Sequence, residues 1–169
     1  MLKNPRAKGF SLIELLIVVA IILIIAAIAI PNLLRARIAA NGASAVGSIR
    51  TLNTAEITYS VSYGTGFATL ASLGGPVSCV AAPATACLID PVLTAGTKTG
   101  YVVAAVPATG AGTILSPFLT IEDNATPISV TTGTRALCSD QSGVIRYNLT
   151  GTAIGTAVGN CGAITTVLQ

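Results

Sequence analysis

Sixteen apolar residues follow one another without a break from Leu15 to Ile30, and beyond Pro31 the pattern turns from solid to periodic. The twenty-one residues from Phe10 to Ile30 would make a helix of about 31 Å at 1.5 Å per residue, the thickness of a bilayer's hydrocarbon core. Pro31 has no backbone donor, so a kink or a loosened turn is expected there. Past it, Ile38, Ala45, Ile49, Leu52, Tyr59 and Tyr63 fall on one stripe at 100° per residue, while Arg37 and Arg50 lie off it. The spacing predicts that an amphipathic helix continues to Tyr63 and stops at Gly64, with Gly42 and Gly47 as soft points. Glu56 falls in the middle of the apolar stripe. A bond to a loop of the domain above it is the one partner the pattern offers.

Residues 64–99 are dense in Gly, Pro and Thr and read as loop. Strand-like runs follow. Residues 101–107 (YVVAAVP) give the first, and 113–121 and 127–132 are candidates for the second. Residues 134–139 and 143–149 flank Asp140–Gln141–Ser142 as a hairpin, and 163–168 offer a last strand. Glu122, Asp123 and Asn124 place three oxygen ligands in a row. Calcium needs 6–8 oxygens, so this segment reads as a polar turn before Pro127, and no metal is expected. A long helix followed by a small antiparallel sheet is an α+β build.

Composition narrows the picture. Hydrophobic residues make up 52% of the 169 and charged ones 9%, so Thr, Ser, Ala and Gly must cover the outside of any folded part. The net charge of +3 comes from Lys3, Arg6 and Lys8. After residue 9 the chain has six basic side chains (Arg35, Arg37, Arg50, Lys98, Arg135, Arg146) and six acidic ones (Glu14, Glu56, Asp90, Glu122, Asp123, Asp140). The basic excess is therefore an orientation signal at a membrane, and nothing in it points to nucleic acid. There is no His, which removes the commonest general base and metal ligand. No G-x-S-x-G motif and no catalytic constellation stand out, so an enzyme is not expected, and neither is a cofactor. The four cysteines, Cys79, Cys87, Cys138 and Cys161, form no CxxC pair. Their even number favours disulfides in an exported domain, with the connectivity open.

The N-terminus carries the sharpest signal. Ala27–Ile28–Ala29 fits the small-x-small rule of a secretory signal peptide, but the apolar run is longer than such a peptide needs and contains Glu14. A plain single-pass anchor explains the length and the basic flank, though not Glu14. A charge within a membrane span is costly and is by default a functional hypothesis. The stretch KGFSLIELL, with a short basic leader ending at Gly9, Phe10 next, and Glu14 fifth from Phe10, resembles the processing signal of type IV pilins and pseudopilins. Pro31, twenty-second from Phe10, also matches that family. The close resemblance covers residues 1 to about 50.

That resemblance implies a type IV pilin-like fold and cleavage of Gly9–Phe10 by a prepilin peptidase that then methylates the Phe10 amine. It also implies a role in assembly for Glu14, which would meet the Phe10 amine of a neighbouring subunit. The implied organisation is a leader (1–9), a transmembrane and assembly half-helix (10–34), an amphipathic half-helix (35–63) and a sheet domain (64–169). Pilins of this family often tie the C-terminal region with a disulfide, which implies Cys138–Cys161; Cys79–Cys87 would close a small loop. The expected function is a structural subunit, held singly across the bacterial inner membrane and then polymerised with identical subunits into an extracellular pilus by an assembly platform. The alternative is a pseudopilin of a type II secretion system, in a periplasmic pseudopilus. Major pseudopilins of that system bind calcium in their C-terminal loops, and this chain, lacking Trp, carries no Trp-Gly-x-Pro-type segment that resembles theirs.

Overall fold

The structure is a computed structural model that describes residues 10–168. Its first helix, α1 (Leu12–Tyr63), passes through Pro31, Gly42 and Gly47 without interruption. It stops where expected: Gly64 takes a φ of +68°, and its N–H closes on the Ser60 carbonyl at 3.0 Å. A residue without a Cβ adopts that conformation freely, and this makes it a natural helix stop. The described residues divide into two units between Ala36 and Arg37.

In the first unit nearly every apolar side chain from Leu12 to Leu34 is exposed. An α-helix that is hydrophobic all round cannot hide all of its faces by packing on one side. In the second unit α1 is one-sided. Ala45, Ser48, Ile49, Leu52, Ala55, Glu56 and Tyr59 are buried, a 3–4 spacing that lays one stripe on the sheet.

The sheet is a meander of five antiparallel strands in chain order: β1 (Thr97–Lys98), β2 (Tyr101–Ala108), β3 (Thr120–Pro127), β4 (Ala136–Asp140) and β5 (Ile145–Asn148). Alternation fixes its two faces. Tyr101, Val103, Ala125, Leu137 and Ile145 join Ile49, Leu52 and Tyr59 of α1 in one core. Ala136 and Cys138 face the other way and pack with Ile154, Cys161 and Ile164 of the C-terminal segment. Two short helices, α2 (Leu70–Leu73) and α3 (Pro91–Thr94), edge the first core. Thr69 caps α2, and Asp90 caps α3 by accepting the Leu93 N–H at 2.9 Å.

Four sequence expectations need correction. The central strand β3 lies between the two apolar candidates. Residues 113–116 instead close a tight turn, with Ser116 donating to the Thr113 carbonyl, and Ile114 and Leu115 stand exposed at its tip. Glu122, Asp123 and Asn124 are the buried middle of β3 and not a polar turn. Residues 163–168 supply only one bridge, Arg146 to Val167, and the loop of 64–99 contains α2, α3 and β1.

Candidate assembly and processing site

The helix start positions the first group. Phe10 is 76% exposed and precedes α1, and Gly9 lies outside the described residues. Glu14 folds back one turn, and its Oε2 accepts the Ser11 backbone N–H at 2.9 Å. Ser11–Leu12–Ile13–Glu14 is thus the S-x-x-E pattern of a capping box, with the acidic half made. The helix N-terminus carries partial positive charge, which also favours a carboxylate there. Glu14 therefore has a local structural reason to be at this position. The S-x-x-E spacing is the signal that shows it, and the sequence expectations did not use it. Pro31 sits inside α1, and its missing N–H leaves the Ala27 carbonyl without its helical donor.

The cysteines pair as Cys138–Cys161 and Cys79–Cys87, with Cα–Cα separations of 5.7 and 5.9 Å. The first joins β4 to the C-terminal segment across 23 residues. Closing such a loop is worth about 3 kcal/mol in the chain-entropy model. Glu122 fastens the same segment a second time: its carboxylate accepts the Gly159 N–H at 2.7 Å and the Cys161 N–H at 3.1 Å. Burial pushes its carboxyl above the usual range, against those two bonds. Asp140 also feels burial, but bonds from Ser142 and Arg146 outweigh it and hold the carboxyl below its ordinary value. Glu56 reaches a loop of the domain, with its Oε2 accepting the Ala68 N–H at 2.8 Å.

Chemically the two ends of the chain differ. The N-terminal segment is an uncovered apolar helix with a carboxylate at its head, suited to burial in lipid or against other helices. The sheet domain is closed by disulfides and by buried carboxyl groups. Among the described residues no group of three metal-ligating side chains converges.

A capped, exposed apolar helix thus precedes an α+β domain. Residues 4–30 match the prokaryotic N-terminal methylation motif. Over 53 residues the chain is 51% identical to the type IV major pilin protein PilA of Myxococcus xanthus, a match covering 31% of this chain and 24% of that protein. Over 36 residues it is 72% identical to the type IV wide pilus major component PilA4 of Thermus thermophilus, covering 21% of this chain and 28% of that one. The chain thus spans about a quarter of the length of the curated relatives it matches. No solved structure matches it. Through its N-terminal region the chain is homologous to type IV major pilins.

Proposed function

We propose that the chain is a structural subunit that polymerises from the inner membrane into a type IV pilus. The observation that carries the reading is the joint presence of Gly9–Phe10, Glu14 at its offset, and an apolar helix exposed on all sides. Both relatives are named as major pilus components, which favours a pilus over a secretion pseudopilus. Lys3, Arg6 and Lys8 hold residues 1–9 on the cytoplasmic side. A prepilin peptidase removes that leader after Gly9 and methylates the Phe10 amine. Residues 10–34 leave the bilayer as sister helices replace lipid around them, driven by an assembly platform. Residues 35–63 carry the sheet domain, 64–169, on the outside.

Glu14 sets the register of this packing. Its carboxylate caps its own helix through one oxygen and has acceptor capacity left for the Phe10 amine of a neighbour. Each group is costly in an apolar bundle alone, and together they neutralise. Removing one partner of such a buried pair costs about 3–5 kcal/mol in general. Pro31 bends or loosens the helix where the apolar half ends. The two disulfides protect the outer domain in an oxidising environment.

Intact-mass measurement on protein from purified surface filaments tests the reading. The expected mass is that of a chain beginning at Phe10 with one added methyl group. A chain beginning at Ile30 would establish ordinary signal-peptide cleavage instead.

A further inference from the structure

Two acids face each other across the seam between α1 and the sheet, and the assembly reading uses neither. Asp123 lies at the centre of β3, with Ala105 beside it on β2 and Ser139 beside it on β4. All three point to the helix face, the same side as Val103, Ala125 and Leu137. Asp123 is 0% exposed, and neither of its carboxyl oxygens has a hydrogen-bond partner in the protein. From α1, Glu56 comes down on the same spot. It is 1% exposed; one oxygen is bonded to Ala68 and the other, Oε1, is unpartnered. The Ser139 hydroxyl beside them is unpartnered too. Glu56 and Asp123 line one cavity of about 20 Å³ together with Asn53, Asp140, Gln141 and Gly143. That volume holds about one water molecule.

We propose that Glu56 and Asp123 are a proton-binding pair: one carboxyl, protonated from solvent, shares its proton with the other across the seam, with a single water in the cavity completing the network. The step is the uptake of one proton by a carboxylate as the domain closes, and no bond other than O–H forms. The alternative to a shared proton is two unpaired charges out of water, which proteins avoid by neutralising the group. The surrounding charges offer no other remedy. Glu122 is the next residue on β3 and points to the opposite face, where it is bonded to Gly159 and Cys161. Asp140, at the end of β4, is bonded to Arg146 of β5 at 3.0 Å. Among the described residues no cation pairs with Glu56 or Asp123, and no group of three His, Cys, Asp or Glu side chains is arranged to hold a metal ion.

The electrostatics agree in direction. Burial raises the Glu56 carboxyl to about 7, partly offset by the Ala68 bond. Burial first, then the Glu56 and Glu122 charges, push Asp123 well above the ordinary range. Raised folded-state values mean that the folded domain binds more protons than the unfolded chain. The stabilisation is therefore complete below the unfolded values and is lost as pH rises from about 4.5 through neutrality. The domain closes by taking up a proton, so alkaline conditions loosen the seam that joins helix to sheet.

Thermal unfolding of the full chain in detergent micelles, followed by near-ultraviolet circular dichroism between about pH 5 and about pH 8, tests the pair. Wild type is expected to lose Tm steadily over that range. Glu56→Gln retains an acceptor for Ala68 and gains a donor for Asp123, so it should cut that loss by at least half, and Asp123→Asn should do the same. An unchanged pH dependence in both variants would overturn the proposal. So would a wild-type Tm at about pH 8 that calcium restores as fully as acid does, since the cavity would then bind a cation. Should either variant fail to fold, infrared spectroscopy on wild type decides. A protonated-carboxyl band at neutral pH that disappears on alkaline titration supports the pair, and its absence overturns it.

Discussion

One helix, α1, is built in two ways. From Leu12 to Leu34 its side chains are apolar on every face and exposed. From Arg37 to Tyr63 one stripe is apolar and is covered by the domain's own sheet. Both halves are α-helical, the ladder missing one donor at Pro31, so the main difference lies in where burial comes from. The second half is completed within the chain. Among the described residues nothing covers the first, and under the proposed function lipid and then sister helices would cover it. Each half also carries one carboxylate in apolar surroundings, handled differently. Glu14 leans on a backbone N–H at an exposed helix start, whereas Glu56 is buried beside a small cavity that it shares with Asp123.

Truncation of matched residues sharpens the contrast. Leu52, fully buried between helix and sheet, should lose about 2–5 kcal/mol of domain stability on change to Ala. Denaturant unfolding of the detergent-solubilised chain reads this directly. Cys138→Ser should cost about 3 kcal/mol, because it frees the segment that Cys161 holds. Peptide mapping without reductant checks that Cys79 and Cys87 stay joined in that variant. Leu23→Ala, in the exposed half, should change the same unfolding by no more than about 0.5 kcal/mol. A loss comparable to that of Leu52→Ala would mean that the first half is buried within the monomer, and the comparison would fail.

The sequence made one half of the molecule far more readable than the other. Solid and periodic hydrophobicity outline α1, Gly64 marks its end, and YVVAAVP and the hairpin around Asp140–Ser142 are apolar strands with turn residues between them. β3 escaped because it breaks the rule by which strands are recognised. Thr-Ile-Glu-Asp-Asn-Ala-Thr-Pro has polar residues at its centre, and both of its faces are buried. What permits this is long-range. Glu122 finds amide donors at Gly159 and Cys161, and Asp123 finds Glu56. No local pattern encodes partners dozens of residues away. Glu56 gave a hint, as a polar residue on an apolar stripe that needed a partner, and half of that partner is the Ala68 loop. At the assembly site the carboxylate and the cleavage junction are legible because they lie within six residues at fixed spacing. The capping role of Glu14 was equally local, in the S-x-x-E spacing.

That capping role offers a clean way to ask why Glu14 is there. Glu14→Gln keeps an oxygen that can accept the Ser11 N–H but removes the charge, while Glu14→Ala removes both. Filament yield per cell, measured for both variants in cells without a wild-type copy, is the most direct test of assembly by charge pairing. The account predicts that both variants are cleaved after Gly9, accumulate in the inner membrane and give few or no filaments. Normal filament yield from Glu14→Gln would contradict it and leave Glu14 as a helix cap alone.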